Sequence, residues 1–274
     1  MRFLRKIVDF YIFANIHVAL ATFSLTKLSL LYWQNDTNIV PVFVFFSTLL
    51  SYNNIRLFRV RTISTWFVSW LASNKTYLIS ISVVSFFISF YLLFKLNLNA
   101  VLILIPFGFL TFLYVLPPFI SKKVALRKLP VFKIIIIALS WAGITVVFPL
   151  AQYGICNSEV MWLFLRQFLF VIVLTLPFDI RDVLYDDTAI KTLPRWLGIK
   201  KAKVLGYLLM GGFIVITFFT LNISLKQYFI DILIALTLMV FLFKATTKQN
   251  KYYSAFWIES LPIAWLVLYF IVEI

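Results

Sequence analysis

The sequence predicts an all-α, polytopic membrane bundle of nine transmembrane helices, and three observations predict it. Of 274 residues, 63% are hydrophobic and 13% are charged. That leaves too little polar surface to clothe a soluble globule of this size. Apolar runs of about 18 residues or more recur along the chain, each long enough to cross roughly 30 Å of hydrocarbon as a helix. Basic residues alternate between rich and poor loops, the pattern of a chain that threads a bilayer.

The runs place spans at 10–32, 38–57, 77–95, 99–120, 132–152, 160–178, 203–223, 228–245 and 254–272, within a single transmembrane domain covering 1–274. Of the 25 lysines and arginines, all but Lys27, Lys95, Arg166 and Lys226 fall at the N-terminus or beside the loops after spans two, four, six and eight. The positive-inside rule then sets the N-terminus in the cytoplasm and the C-terminus outside. The basic segment Met1–Lys6 precedes an apolar run that is too long for a signal peptide and lacks a small-residue cleavage site, so it reads as a retained first span. The net charge of +15 sits in short loops, which argues for membrane orientation and against a nucleic-acid partner. Cys156 is the lone cysteine, so no intrachain disulfide is expected.

Span one carries the only histidine, His17, beside Asn15. With no cysteine or histidine near it in sequence it makes no zinc site and reads as a helix-packing polar residue. The loop after span two holds Trp66, Phe67, Trp70 and Leu71 at helical spacing. This reads as an interfacial amphipathic helix, either a plain aromatic anchor or a lid over a site. Arg166 in span six and Asp231 in span eight both lie in the outer third of their spans, where pairing relieves two expensive charges. Gly211-Gly212 in span seven allows close helix approach. Glu259, in span nine, either faces a site or reaches the interface. The sequence shows no P-loop, dinucleotide fingerprint, metalloprotease motif or nucleophile elbow.

The acidic residues are uneven. Four of ten fall within nine positions, Asp179, Asp182, Asp186 and Asp187. If the sixth helix continues, Asp179, Asp182 and Asp186 share one face. Like charges at that spacing repel, and the helix C-terminus is itself negative. Something positive must compensate. One candidate is Mg²⁺, which suits carboxylate oxygens and shares its shell with phosphates. The other is the local basic set of Arg181, Lys191, Arg195, Lys200 and Lys201.

The stretch Pro177–Gly198 resembles the second aspartate-rich motif of the UbiA-type membrane prenyltransferase superfamily. Arg181-Asp182 and Asp186 match its acidic part, and Thr192-Leu193-Pro194 with Leu197-Gly198 matches the segment that follows. Beyond 177–203 the resemblance rests on architecture. It implies a central cavity in the helical bundle that binds an isoprenyl diphosphate or other lipid at the cytoplasmic face. Mg²⁺ is implied on Asp179, Asp182 and Asp186, with Asp182 and Asp186 in the catalytic role. Arg181, Lys191, Tyr114 and the basic pair Arg127-Lys128 are implied to contact substrate.

The chain departs from the family at the first motif. The equivalent stretch, Ser51–Arg61, has no carboxylate. Asn53 and Asn54 keep amide oxygens, while Arg56 and Arg59 add positive charge that suits direct phosphate contact. Two readings stay open. One is an intramembrane prenyltransferase of the multi-pass cytoplasmic membrane with an aromatic or lipidic acceptor. The other is a non-catalytic relative that binds a lipid or protein partners. A transporter has less support, because inverted repeats with helices broken at the midplane are not evident.

Overall fold

The computed structural model describes residues 2–58, 65–115, 131–184, 192–220 and 224–273, and these form helices joined by short turns, with no strand among them. We label the helices α1 (Arg2–Phe13), α2 (Ile16–Leu31), α3 (Ile39–Phe58), α4 (Thr65–Leu93), α5 (Leu98–Val115), α6 (Phe132–Ala142), α7 (Phe148–Gln152), α8 (Ser158–Asp182), α9 (Leu193–Leu197), α10 (Ile199–Phe218), α11 (Leu225–Lys244) and α12 (Leu261–Glu273). A π-helical turn, Gly143–Val147, joins α6 to α7, and another, Tyr253–Ile258, lies before α12.

Six segments are each long and apolar enough to cross a membrane: Trp66–Leu93, Phe132–Gln152, Ser158–Asp182, Ile199–Phe218, Leu225–Lys244 and Tyr253–Glu273. α1 and α2 make a seventh if counted together, although they are bent by 53° at a break. Neighbours in the bundle run in the order α4, α3, α2, α12, α11, α10, α8, α6, α5. The main core gathers Phe170, Phe213 and Trp265 with aliphatic side chains of α2, α8, α10 and α11.

Two elements differ from the sequence reading. The first helix starts well before the apolar run and breaks at Asn15, whose φ of 63° is left-handed. Asn tolerates that region better than most residues, and here the buried Asn15 Nδ2 donates to Asn53 Oδ1 on α3 at 2.7 Å. The stripe Trp66–Leu71 is not a separate interfacial helix but the first turns of α4. Ser73, Asn74 and Lys75 read as loop, yet nothing there stops a helix. Ser73 Oγ donates to Ser69 O at 3.0 Å and Asn74 Nδ2 to Trp70 O at 2.8 Å, so the polar side chains are satisfied within the helix.

Of the glycine pair read from sequence, Gly212 makes a close approach and Gly211 does not, and Gly206 makes a closer one. A Cβ at Gly211 would meet nothing within 4 Å, and one at Gly212 would touch Leu169 at 3.3 Å. At Gly206 it would lie 2.4 Å from Leu242 and 2.9 Å from Leu176, so Gly206 is where α10 lets α8 and α11 approach.

Candidate headgroup site

α3, α8 and the segment before α12 bring polar residues to one end of the bundle. On α3, Asn53 is fully buried and accepts from Asn15. Its Nδ2 has no partner among the described residues. Arg56, one turn on, donates to Phe13 O at the frayed end of α1 and lies 5.4 Å over the Phe67 ring. Glu259 follows the π-helical turn Tyr253–Ile258. The wider turn shifts the register of the helix at a point where Ser260 and His17 also meet, at 3.1 Å.

On α8 the helix ends at Asp182. Asp179, 3% exposed, is paired with Lys133 of α6 at 2.6 Å. Asp182 is gripped by its neighbour Arg181 through two hydrogen bonds of 2.7 and 3.2 Å. Arg181 and Asp182 are each about 30% exposed, so both can be reached from outside. Beside them, Gln249 Nε2 donates to Pro177 O at 2.8 Å and to Ser254 Oγ at 2.7 Å. Asp9 of α1 is held by Lys251 at 2.8 Å and by the Tyr252 hydroxyl at 2.6 Å. Lys251 also lies 3.6 Å over the Trp66 ring.

The segment after α8 resumes at Thr192 and forms the single turn α9, with Pro194 in its first turn. Gly198 then turns the chain at φ 81° into α10, a backbone conformation that favours glycine. The Thr-Leu-Pro and Leu-Gly residues read from the sequence thus build a sharp corner that returns the chain into the bundle.

Of the residues singled out from sequence, Asn53, Arg56, Arg181 and Asp182 share this end of the molecule, with Asp179 just behind them. Asn54 does not join them. It lines a groove of about 390 Å³ between α3 and α4, with Leu50, Leu57, Ser82 and Phe86. A second groove of about 290 Å³ continues it past Phe43, Ser89 and Leu104 of α5. Arg59, Arg127, Lys128, Asp186 and Lys191 lie outside the described residues, as does the side chain of Tyr114 on α5. Sequence reasoning missed Lys133 and Lys251, which read as ordinary positive-inside residues. It also missed the Asn15–Asn53 contact, for which two asparagines in apolar runs were the available signal.

The described carboxylates do not fit Mg²⁺. The ion prefers near-octahedral oxygen coordination with one or two free carboxylates. Here Asp179 and Asp182 are each taken by a basic partner, and no group of three acidic, histidine or cysteine residues able to hold a metal occurs among the described residues.

These features define the class of protein as an intramembrane helical bundle with a charged polar site at one end. Its fold is that of the UbiA-type membrane prenyltransferases. A UbiA homologue from Archaeoglobus fulgidus bound to GPP and Mg²⁺ superposes with a TM-score of 0.60 over 99% of this chain and 99% of that one, at 13% identity. The same homologue bound to DMAPP and Mg²⁺ gives 0.54 over 97% and 96%, at 15% identity. A digeranylgeranylglyceryl phosphate synthase gives 0.53 over 95% and 93%, also at 15% identity. No protein-family model matches the chain, and no curated protein matches it by sequence.

Proposed function

We propose that this chain is a divergent UbiA-type protein that binds an isoprenyl diphosphate at the cytoplasmic end of its bundle and transfers the isoprenyl group to an aromatic or lipidic acceptor. The observation that carries the reading is the placement of Arg56 of α3 and the Arg181–Asp182 ion pair of α8 around the rings of one apolar cluster, in a fold of which one solved homologue holds GPP or DMAPP with Mg²⁺. Breaking the allylic C–O bond leaves an electron pair on the diphosphate and an allylic cation behind. Guanidinium groups placed where that negative charge develops lower the barrier. The acceptor's electron pair then forms the new bond, and a proton leaves the acceptor.

The same reading carries nine helices across the bilayer, with α3 and α5 joining the seven segments described above. The N-terminus is then cytoplasmic and the C-terminus outside. Arg59, Arg127, Lys128 and Lys191, outside the described residues, are assigned to substrate by the sequence resemblance alone. Mg²⁺ would be held by Asp179, Asp182 and Asp186 of the second motif alone.

A second reading has a specific observation behind it. The ion pairs Lys133–Asp179 and Arg181–Asp182 occupy the carboxylates that the chemistry of the fold calls on, which favours a lipid-binding protein without transferase activity. The two separate in one experiment. The purified protein in nanodiscs is incubated with geranylgeranyl diphosphate and a mixture of quinone-like and glycerol-based acceptors, and diphosphate release and prenylated products are followed by mass spectrometry. Transfer that is lost in Asp182→Ala supports the enzyme. Saturable binding with no product supports the carrier, and no binding defeats both.

A further inference from the structure

The described polar end is balanced in charge. Asp9, Asp179 and Asp182 each form an ion pair with Lys251, Lys133 and Arg181 respectively. Glu259 and Arg56 add one charge of each sign. Among the described residues, which do not include Asp186 and Asp187, no surplus negative charge remains there to attract a divalent cation. A metal entering at Asp182 must first displace a guanidinium bound through two hydrogen bonds, and at Asp179 an ammonium 2.6 Å away.

A polyanion competes with these single carboxylates for the same cations. Arg56 lies 5.4 Å over the Phe67 ring and Arg181 5.4 Å over the Phe178 ring, and both rings pack in one apolar cluster with Phe13, so two guanidinium groups from different helices stand at the same end and repel. An anion placed between them relieves that repulsion. The half-buried Glu259 carries one charge where a diphosphate carries several. Guanidinium forks match phosphate oxygens in geometry and hold them bidentately. Asn53 Nδ2, fully buried and without a partner among the described residues, is a further donor beside Arg56 on the same turn of α3. Arg56 and Arg181 both remain partly exposed, so a ligand can reach them.

We propose that this chain receives the phosphate end of its ligand on Arg56, Arg181 and the amide of Asn53 without a divalent cation, Glu259 giving way as the anion arrives. This rests on the preceding reading that the ligand is an isoprenyl diphosphate. Direct guanidinium contact replaces the metal bridge, and it explains why the α3 side of the site carries arginine and amide where acidic residues are expected.

The test uses the full chain in nanodiscs. Geranylgeranyl diphosphate and, separately, inorganic diphosphate are titrated in EDTA and in Mg²⁺, following the thermal unfolding midpoint. The expected result is a saturable stabilisation in EDTA whose apparent Kd lies within about threefold of that in Mg²⁺. Arg181→Gln and Arg56→Gln each weaken it at least tenfold. Arg56→Lys serves if Arg56→Gln fails to fold, because it keeps the charge but loses the fork and weakens binding to a lesser degree. Binding of inorganic diphosphate as tight as the lipid assigns the site to the phosphate alone and still supports metal-free recognition. Binding that appears only with Mg²⁺ overturns the proposal and leaves the isoprenyl diphosphate reading intact. Absence of binding under both conditions removes that reading as well.

Discussion

At the scale of single residues, Arg166 shows how the bundle tolerates a charge in its core. It is fully buried on α8 and ion-paired with Asp231 of α11. Tyr32 and Trp265 donate to Asp231 Oδ1 at 3.1 and 2.8 Å. The guanidinium carbon lies 4.8 Å from the Tyr32 ring and 5.7 Å from each of Phe213 and Trp265. Two of its donors, Nε and Nη2, have no hydrogen-bond partner among the described residues, and the ring faces cover the charge instead. Removing one partner strands the other charge in the core, which costs about 3–5 kcal/mol. Arg166→Leu should therefore lower the detergent-solubilised unfolding midpoint sharply. Asp231→Leu in the same chain should restore much of it, because an apolar pair leaves nothing unpaired. A double variant no more stable than Arg166→Leu alone would show that the aromatic contacts, not the ion pair, hold this region. Both residues were legible in the sequence as charges at matching depth in apolar spans. Their ring cage was not, since Tyr32, Phe213 and Trp265 come from three other helices and carry no mark that sets them apart among so many aromatics.

At the scale of elements, the break between α1 and α2 shapes the site. It turns Phe13 O toward Arg56 and sets Asn15 against Asn53. Two separate costs attend a substitution at Asn15. A β-branched residue at positive φ is strained by about 1–3 kcal/mol, and loss of the buried amide bond costs about 1 kcal/mol more. Asn15→Gly keeps the backbone and loses only the bond, whereas Asn15→Val loses both. The unfolding midpoint should fall in both, and further in Asn15→Val. Equal losses would mean that the hydrogen bond alone fixes the break. Such a break is hard to read from sequence, because the polar residues Asn15 and His17 interrupt an apolar run without ending it. The opposite error occurred at α4, where Ser73, Asn74 and Lys75 suggested a loop and the helix runs through them. The six or up to seven spans found among the described residues were legible because a bilayer demands a long apolar run for each. The acidic cluster was legible as an anomaly in spacing. Its neutralisation by Lys133 was not, because that partner stands 46 residues away on α6 and only packing brings it near.

At the scale of the whole molecule, the proposed path through the bilayer can be tested with a probe the chain already carries. Cys156 is the only cysteine and is exposed, in the short turn between α7 and α8. On the nine-span reading this turn follows span five, and a chain that starts in the cytoplasm is outside after an odd number of crossings. A membrane-impermeant maleimide should label Cys156 in intact spheroplasts, and Cys156→Ser should abolish the signal. In that cysteine-free background Lys248→Cys, an exposed position between α11 and α12, should label only after the membrane is permeabilised. The two sites are separated by three crossings, α8, α10 and α11, so they must lie on opposite sides whatever the absolute orientation. Labelling of both from one side would remove one of those crossings. Opposite labelling with the sides exchanged would keep the bundle but invert it, or change the parity of the crossings before Cys156. Either result would move the charged end of α3 and α8 out of the cytoplasm. The isoprenyl diphosphate reading requires that end to face the cytoplasm, so the side on which Cys156 is labelled bears directly on the proposed function.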